Sequence, residues 1–238
     1  YHAPWLGESV LYSFHPGGTI GSGFRDLGGF ADAARVVPPL MARLGADAAW
    51  ILPVEQKSPY WPMDYYRFMD GLGTSNDYRR LVDRLRAGGV RVLQDLVPHG
   101  GAPQAVHNQA HPEFMLRRED GTTLNYWLND FARPDWQAYI AGVARHYARG
   151  YGVDGYRVDA CFGSKENNWS PDIPYARASL ATMHGGLGML EAIRGALKAE
   201  RPDGALLAEV ESERHQAFSD ATFDFTFGLR VCRDVREI

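Results

Sequence analysis

Six short apolar runs recur along the chain, at 10–15, 48–54, 90–97, 155–160, 205–210 and 223–227, each of strand rather than helix length. Between them the apolar positions return every three or four residues, which predicts helices at 31–44, 75–87, 134–150 and 186–200, and a short one near 214–220. A last amphipathic stretch, 229–238, has no Gly or Pro stop and reads as a helix still in progress. Strand and helix in alternation predict βαβ units around a parallel sheet. The expected fold is therefore α/β, a (β/α)8 TIM-barrel type with six of its eight βα units present, in a single partial barrel domain over 1–238.

Two connections exceed the usual 2 to 6 residues of a βα loop. The first, 98–133, is polar and rich in His, Asn, Asp and Gly, and is expected to form a small inserted subdomain over the carboxyl rim of the third strand. The second, 161–184, carries Asn167, Asn168, Trp169 and Tyr175. Barrel enzymes place their sites on that rim.

Two of the apolar runs end in an acid: Tyr156-Arg157-Val158-Asp159 and Leu207-Ala208-Glu209. Arg157 and Asp159 stand two apart, so on an extended strand they leave the same face and the guanidinium can hold the carboxylate ionised. Were the strands of Asp159 and Glu209 neighbours, about 4.8 Å would separate them, compatible with the roughly 5 to 5.5 Å carboxyl spacing of a retaining glycosidase. The same residues also fit an Arg-Asp ion pair closing a barrel, with an incidental Glu.

At 238 residues and 45% apolar content, the chain can bury one large core. A formal charge of -4, without a basic block, gives no footprint for nucleic acid or an anionic membrane. No apolar run approaches the roughly 20 residues of a membrane span. Cys161 and Cys232 are too few for a disulfide scaffold or a zinc site. The start has neither a basic nor an apolar leader region, so localisation stays open, and both ends look cut.

At this point the runs resemble a known family. Val90-Arg91-Val92-Leu93-Gln94-Asp95-Leu96-Val97-Pro98, Gly152-Val153-Asp154-Gly155-Tyr156-Arg157-Val158-Asp159-Ala160 and Leu207-Ala208-Glu209 resemble, in order and spacing, three conserved regions of the alpha-amylase family, glycoside hydrolase family 13. Leu44-Gly45-Ala46-Asp47-Ala48-Ala49-Trp50-Ile51-Leu52-Pro53-Val54 is similar to its second strand, followed by Ser58-Pro59-Tyr60 and Asp64-Tyr65-Tyr66. The resemblance implies a catalytic barrel acting on oligosaccharides or polysaccharides without organic cofactor. It makes Asp159 the nucleophile, Glu209 the general acid/base and Arg157 the residue that holds Asp159. Tyr60 matches the tyrosine that stacks on the sugar; it also fits a core aromatic at a strand end.

The chain departs from the family at several positions. The first region usually reads Asp-x-x-x-Asn-His, and here it reads Asp95-Leu96-Val97-Pro98-His99-Gly100. Either His99 reaches the sugar across a one-residue deletion, or it stands where an Asn often helps bind calcium, or it is a merely structural histidine. No metal site is expected: His107, His111 and Glu113 have a metal-like spacing, but in a loop with no helix to align them. Phe162 replaces a usual Lys and Gly163 the following His, which implies remodelled acceptor subsites. Trp61 takes the place of a frequent Asp, as a sugar platform or a packed indole.

The family also carries a third acid in a His-Asp pair at the seventh strand, and none of the eight His here precedes an Asp. The last two βα units and that acid are expected beyond Ile238. Three readings follow: a retaining α-glucoside hydrolase or transglycosylase, an inactive sugar-binding or interaction protein of the same family, and an unrelated barrel enzyme such as an aldolase. The last needs a Schiff-base Lys or a phosphate-binding Gly loop, and Lys57, Lys165 and Lys198 all fall outside the expected strands.

Overall fold

The computed structural model describes residues 2–18, 27–124, 128–162, 167–172 and 181–224, with the side chains of 181–183 excepted. A helix α1 (Pro4–Glu8) precedes β1 (Leu11–Phe14), α2 (Phe30–Leu44) and β2 (Ala48–Ile51). A hairpin of β3 (Glu55–Ser58) and β4 (Trp61–Phe68) follows, then α3 (Ser75–Ala87) and β5 (Arg91–Leu96). Next come α4 (Val106–Ala110), α5 (Pro134–Tyr151), β6 (Gly155–Val158), α6 (Ala181–Glu200), β7 (Ala205–Ala208), α7 (Glu213–Gln216) and β8 (Ala221–Thr222). The central sheet has the order β1-β2-β5-β6-β7-β8 and every pairing in it is parallel. This is the expected barrel pattern of strands returning through helices.

The sheet curls. Trp50 on β2 and Phe223 just past β8 are separated by four strand spacings, about 19 Å in a flat sheet, yet their ring centroids are 6.0 Å apart. The lower end of the curl is closed by α1: the Ala3 N–H donates to Asp220 at 2.6 Å, and the Trp5 indole N–H donates to the Asp203 carbonyl at 2.8 Å.

Both faces of the strands are buried, as a parallel sheet between helices and a barrel interior requires. Val92, Leu206 and Ala208 join the large core under the helices, whereas Leu93, Ala205 and Leu207 fill a separate interior layer with Ala3. That interior is tight at Gly155, where an added Cβ would lie 2.0 Å from the Ala205 carbonyl oxygen. On the helix side Glu55 is buried completely: it accepts from Gln94 at 2.8 Å, and Gln94 accepts in turn from the Tyr78 hydroxyl.

Helix ends follow local chemistry. In α3, Thr74 and Asp77 form a capping box, and α2 and α5 stop at Gly45 and Gly152, both in the left-handed region. Expected and observed helices agree at 75–87. By contrast α6 starts five residues earlier than its Gly185-Gly186 pair suggests, because Gly185 is a packing position: a Cβ there would lie 2.3 Å from the Ala132 nitrogen. A strand forms at Ala221–Thr222, just before the last expected one at 223–227, of which 225–227 lie outside the described residues, as does the terminal helix. Across 98–133 the described chain forms α4, a 3-10 turn at Pro112–Phe114 and two isolated bridges.

Candidate active site

Strand register assembles the site. Asp95 pairs with Arg157, and Arg157 with Leu207, so two residues further on Asp159 and Glu209 stand side by side at the strand ends, facing the interior. Arg157, 4% exposed, is the hub: Nη1 lies 3.0 Å from both oxygens of Asp95 and 2.5 Å from Oδ1 of Asp159. Its Nη2 lies 2.7 Å from Oε1 of Glu209. One guanidinium thus touches three carboxylates on three adjacent strands.

The second oxygens are also held. His99, wholly buried, brings Nε2 within 3.2 Å of Oδ2 of Asp159, while its Nδ1 lies 3.0 Å from the Gly100 carbonyl oxygen. The backbone N–H of Ala160 donates to Oε2 of Glu209 at 2.8 Å. Ala160 has φ +41°, an unfavourable conformation for an L-residue, and so the turn after β6 is bent toward Glu209 at some cost in strain. Tyr60, with φ +60°, tops the β3–β4 hairpin and points its hydroxyl at Asp95 from 3.5 Å.

These contacts push the carboxyls apart. Burial alone would raise Asp159, but the His99 hydrogen bond and the charge of Arg157 outweigh it and hold the group below the ordinary aspartate range. Glu209 moves the other way: burial raises it, the Asp159 charge adds to the rise, and Arg157 only partly opposes them. Asp95 is pushed up to about 8 by complete burial, against the pull of Arg157 and the Trp50 indole. Its surroundings are all donors, however, and with Arg157 bonded to both its oxygens we assign it as the ionised form that the geometry matches.

Of the residues singled out from sequence, the structure gathers Arg157, Asp159, Glu209, His99 and Tyr60 into one cluster. Trp61 is half-buried beside Tyr60 at the start of β4, and Phe162 is 38% exposed three residues after Asp159; Gly163 lies outside the described residues. His99 is directed at a carboxylate and a carbonyl, and offers no oxygen of the kind calcium takes. His107 is stacked among Tyr65, Trp136 and Tyr139, while His111 pairs with Glu113 at 3.1 Å, so this trio does not converge. Among the described residues no group of three or more His, Cys, Asp or Glu is placed to hold a metal. Sequence reasoning passed over Asp95 and Trp50. The signal for Asp95 was a lone acid inside an apolar strand, with the parity that faces it to Arg157.

Residues 21–127 match the family model described as alpha amylase, catalytic domain, a span that includes Tyr60, Asp95 and His99. Curated relatives extend the match: the chain is 27% identical over 161 residues to an oligo-1,6-glucosidase of Bacillus sp. (strain F5), covering 60% of this chain and 30% of that protein. It is 25% identical over 240 residues to the 1,4-alpha-glucan branching enzyme GlgB 1 of Xanthomonas euvesicatoria pv. vesicatoria, covering 92% and 31%. Over 21–127 the chain matches the alpha-amylase family. It matches less than a third of the length of either relative.

The fold of this chain is shared with solved barrels. An alpha-amylase from Lactobacillus plantarum superposes with a TM-score of 0.73 at 22% identity, over 94% of this chain and 54% of that one. An alpha-amylase from Geobacillus thermoleovorans gives 0.68 at 17% identity, over 92% and 52%. The curled parallel sheet of β1 to β8 is thus part of a (β/α)8 barrel. Among the described residues no helix is long and apolar enough to cross a membrane.

Proposed function

We propose that this chain carries the catalytic acids of a retaining α-glycoside hydrolase or transglycosylase acting on α-glucans or α-gluco-oligosaccharides. The observation that supports this best is the pair Asp159 and Glu209, neighbours on adjacent strands, joined by Arg157 and driven in opposite directions of acidity. One carboxyl kept ionised beside one that favours its proton is the division of labour that glycoside cleavage needs.

In this mechanism the Asp159 carboxylate attacks the anomeric carbon while Glu209 gives its proton to the departing glycosidic oxygen. The Glu209 carboxylate then takes a proton from water or from a sugar hydroxyl, whose oxygen attacks the same carbon and releases Asp159. Two inversions leave the configuration retained. Oε1 of Glu209 is ion-paired with Arg157 and Oε2 accepts from the Ala160 N–H, so both oxygens are held in place for proton transfer. Tyr60 supplies a ring at the mouth of the cluster, and no organic cofactor enters.

The test is NMR of the first product released by the full-length protein from an α-glucan or an α-glucosyl donor. The α-anomer appearing first, before mutarotation, is expected. The β-anomer would overturn the retaining assignment, and sugar binding without turnover would establish the inactive sugar-binding reading in its place.

A further inference from the structure

Trp50 belongs to none of the roles above, yet it touches two members of the cluster at once. It lies on β2 in register with Leu93, so Asp95, two residues on, shares its face of the sheet. Its Nε1–H donates to Oδ2 of Asp95 at 2.9 Å, and its ring centroid is 4.8 Å from the guanidinium carbon of Arg157. Phe223 and Tyr60 stand around the same guanidinium at 5.7 and 5.8 Å.

Arg157 needs such a support. Its Nη1 alone serves Asp95 and Asp159, with Nη2 on Glu209, so a small rotation of the plane would lose one acid while favouring another. Its Nε is buried with no hydrogen-bond partner, so along that edge the guanidinium is held by ring faces and not by an acceptor. Nor is Trp50 free to move, because Phe223 meets it edge-on across the barrel interior.

We infer that Trp50 is a positioning residue: its indole N–H orients Asp95 and its face fixes the plane of Arg157, so that one guanidinium reaches Asp159 and Glu209 together. This rests on the reading of Asp159 and Glu209 as the catalytic pair. The ring and the N–H act separately. Trp50→Phe keeps a face and removes the donor, whereas Trp50→Leu removes both.

Among the described residues, the charged and titratable groups facing this arrangement are Asp95, Arg157, Asp159, Glu209, His99, Tyr60 and Cys161. In the full-length protein Trp50→Phe is expected to lower kcat about 10-fold, and Trp50→Leu about 100-fold or more, with KM changed less than about 3-fold. Looser contact of Arg157 with Asp159 also moves the acid limb of kcat/KM to higher pH in both variants, which lost stability alone would not do. Thermal midpoints verify folding, and if Trp50→Leu does not fold, Trp50→Phe alone decides. Wild-type kcat and an unmoved acid limb in Trp50→Phe would overturn the proposal, as would a loss confined to KM, which would make Trp50 a sugar contact. An inactive wild type would overturn the catalytic reading and this proposal with it; an active wild type beside an unaffected Trp50→Phe overturns this proposal alone.

Discussion

Nε2 of His99 lies 3.2 Å from Oδ2 of Asp159, the oxygen that Arg157 does not hold. A histidine that looked out of register in the sequence is therefore placed against the carboxylate at the centre of the site. Its hydrogen bond and charge both lower Asp159. His99→Gln is accordingly expected to raise the pKa of Asp159 toward the ordinary range, so that the acid limb of kcat/KM moves to higher pH. A pH-rate profile decides it; an acid limb at the wild-type position would show that His99 does not act on Asp159.

Among the described residues, Arg157 is the one cation in contact with all of Asp95, Asp159 and Glu209. Lysine is a point charge without the planar fork, so Arg157→Lys is expected to reduce kcat/KM about 100-fold or more. Arg157→Met leaves three carboxyls without a partner and is expected to destabilise the protein by about 3–5 kcal/mol near neutral pH. Acidification protonates those carboxyls, so the defect shrinks as pH falls. Urea unfolding at two pH values measures it, and a defect that grows on acidification would contradict this account.

Glu55 gives a second handle on pH, remote from the chemistry. Burial pushes it up to about 7 from an ordinary 4.5, although its own backbone, Gln94 and Val54 oppose the shift with hydrogen bonds. The unfolded chain therefore loses this proton first as pH rises, and stability falls between about 4.5 and 7 by about 3 kcal/mol before levelling. Glu55→Gln has no proton to lose and is expected to flatten this part of the stability profile. Parallel profiles for the two proteins would show that Glu55 is not protonated in the fold.

Gly155 tests the packing that sets the site. A Cβ there would lie 2.0 Å from the Ala205 carbonyl oxygen and 2.7 Å from Leu93, so β6 and β7 would have to part beneath Arg157. Gly155→Ala is expected to cost about 3 kcal/mol in denaturant unfolding and to lower activity along with it. A cost below about 1 kcal/mol would mean that the strands yield freely.

Strand positions were legible because a sheet buried on both faces writes each strand as a short apolar run, and 91–96 and 205–208 fall inside theirs. The β3–β4 hairpin was not, since Gln56, Lys57 and Ser58 are polar and Pro62 looks like a break; as a two-stranded ribbon outside the main sheet it tolerates both. The five-residue α1 carries too little periodicity to be seen. The ladder with β7 is formed by Ala221 and Thr222, just before the expected strand, and Phe223 turns its ring to Trp50. Asp159, Glu209 and Arg157 could be singled out because two acids end apolar runs. The parts of the site that were missed, Asp95 and Trp50, depend on lateral register between strands, which a linear pattern does not record.

In the proposed mechanism Asp159 forms the glycosyl-enzyme bond and Glu209 supplies the proton. The most direct measurement is trapping of the full-length protein with a slow fluorinated α-glucosyl donor, followed by proteolysis and peptide mass mapping. One added sugar is expected, carried by the peptide that contains Asp159 and lost in Asp159→Asn. A label on any other residue, or none from a protein that turns over the natural substrate, would contradict it.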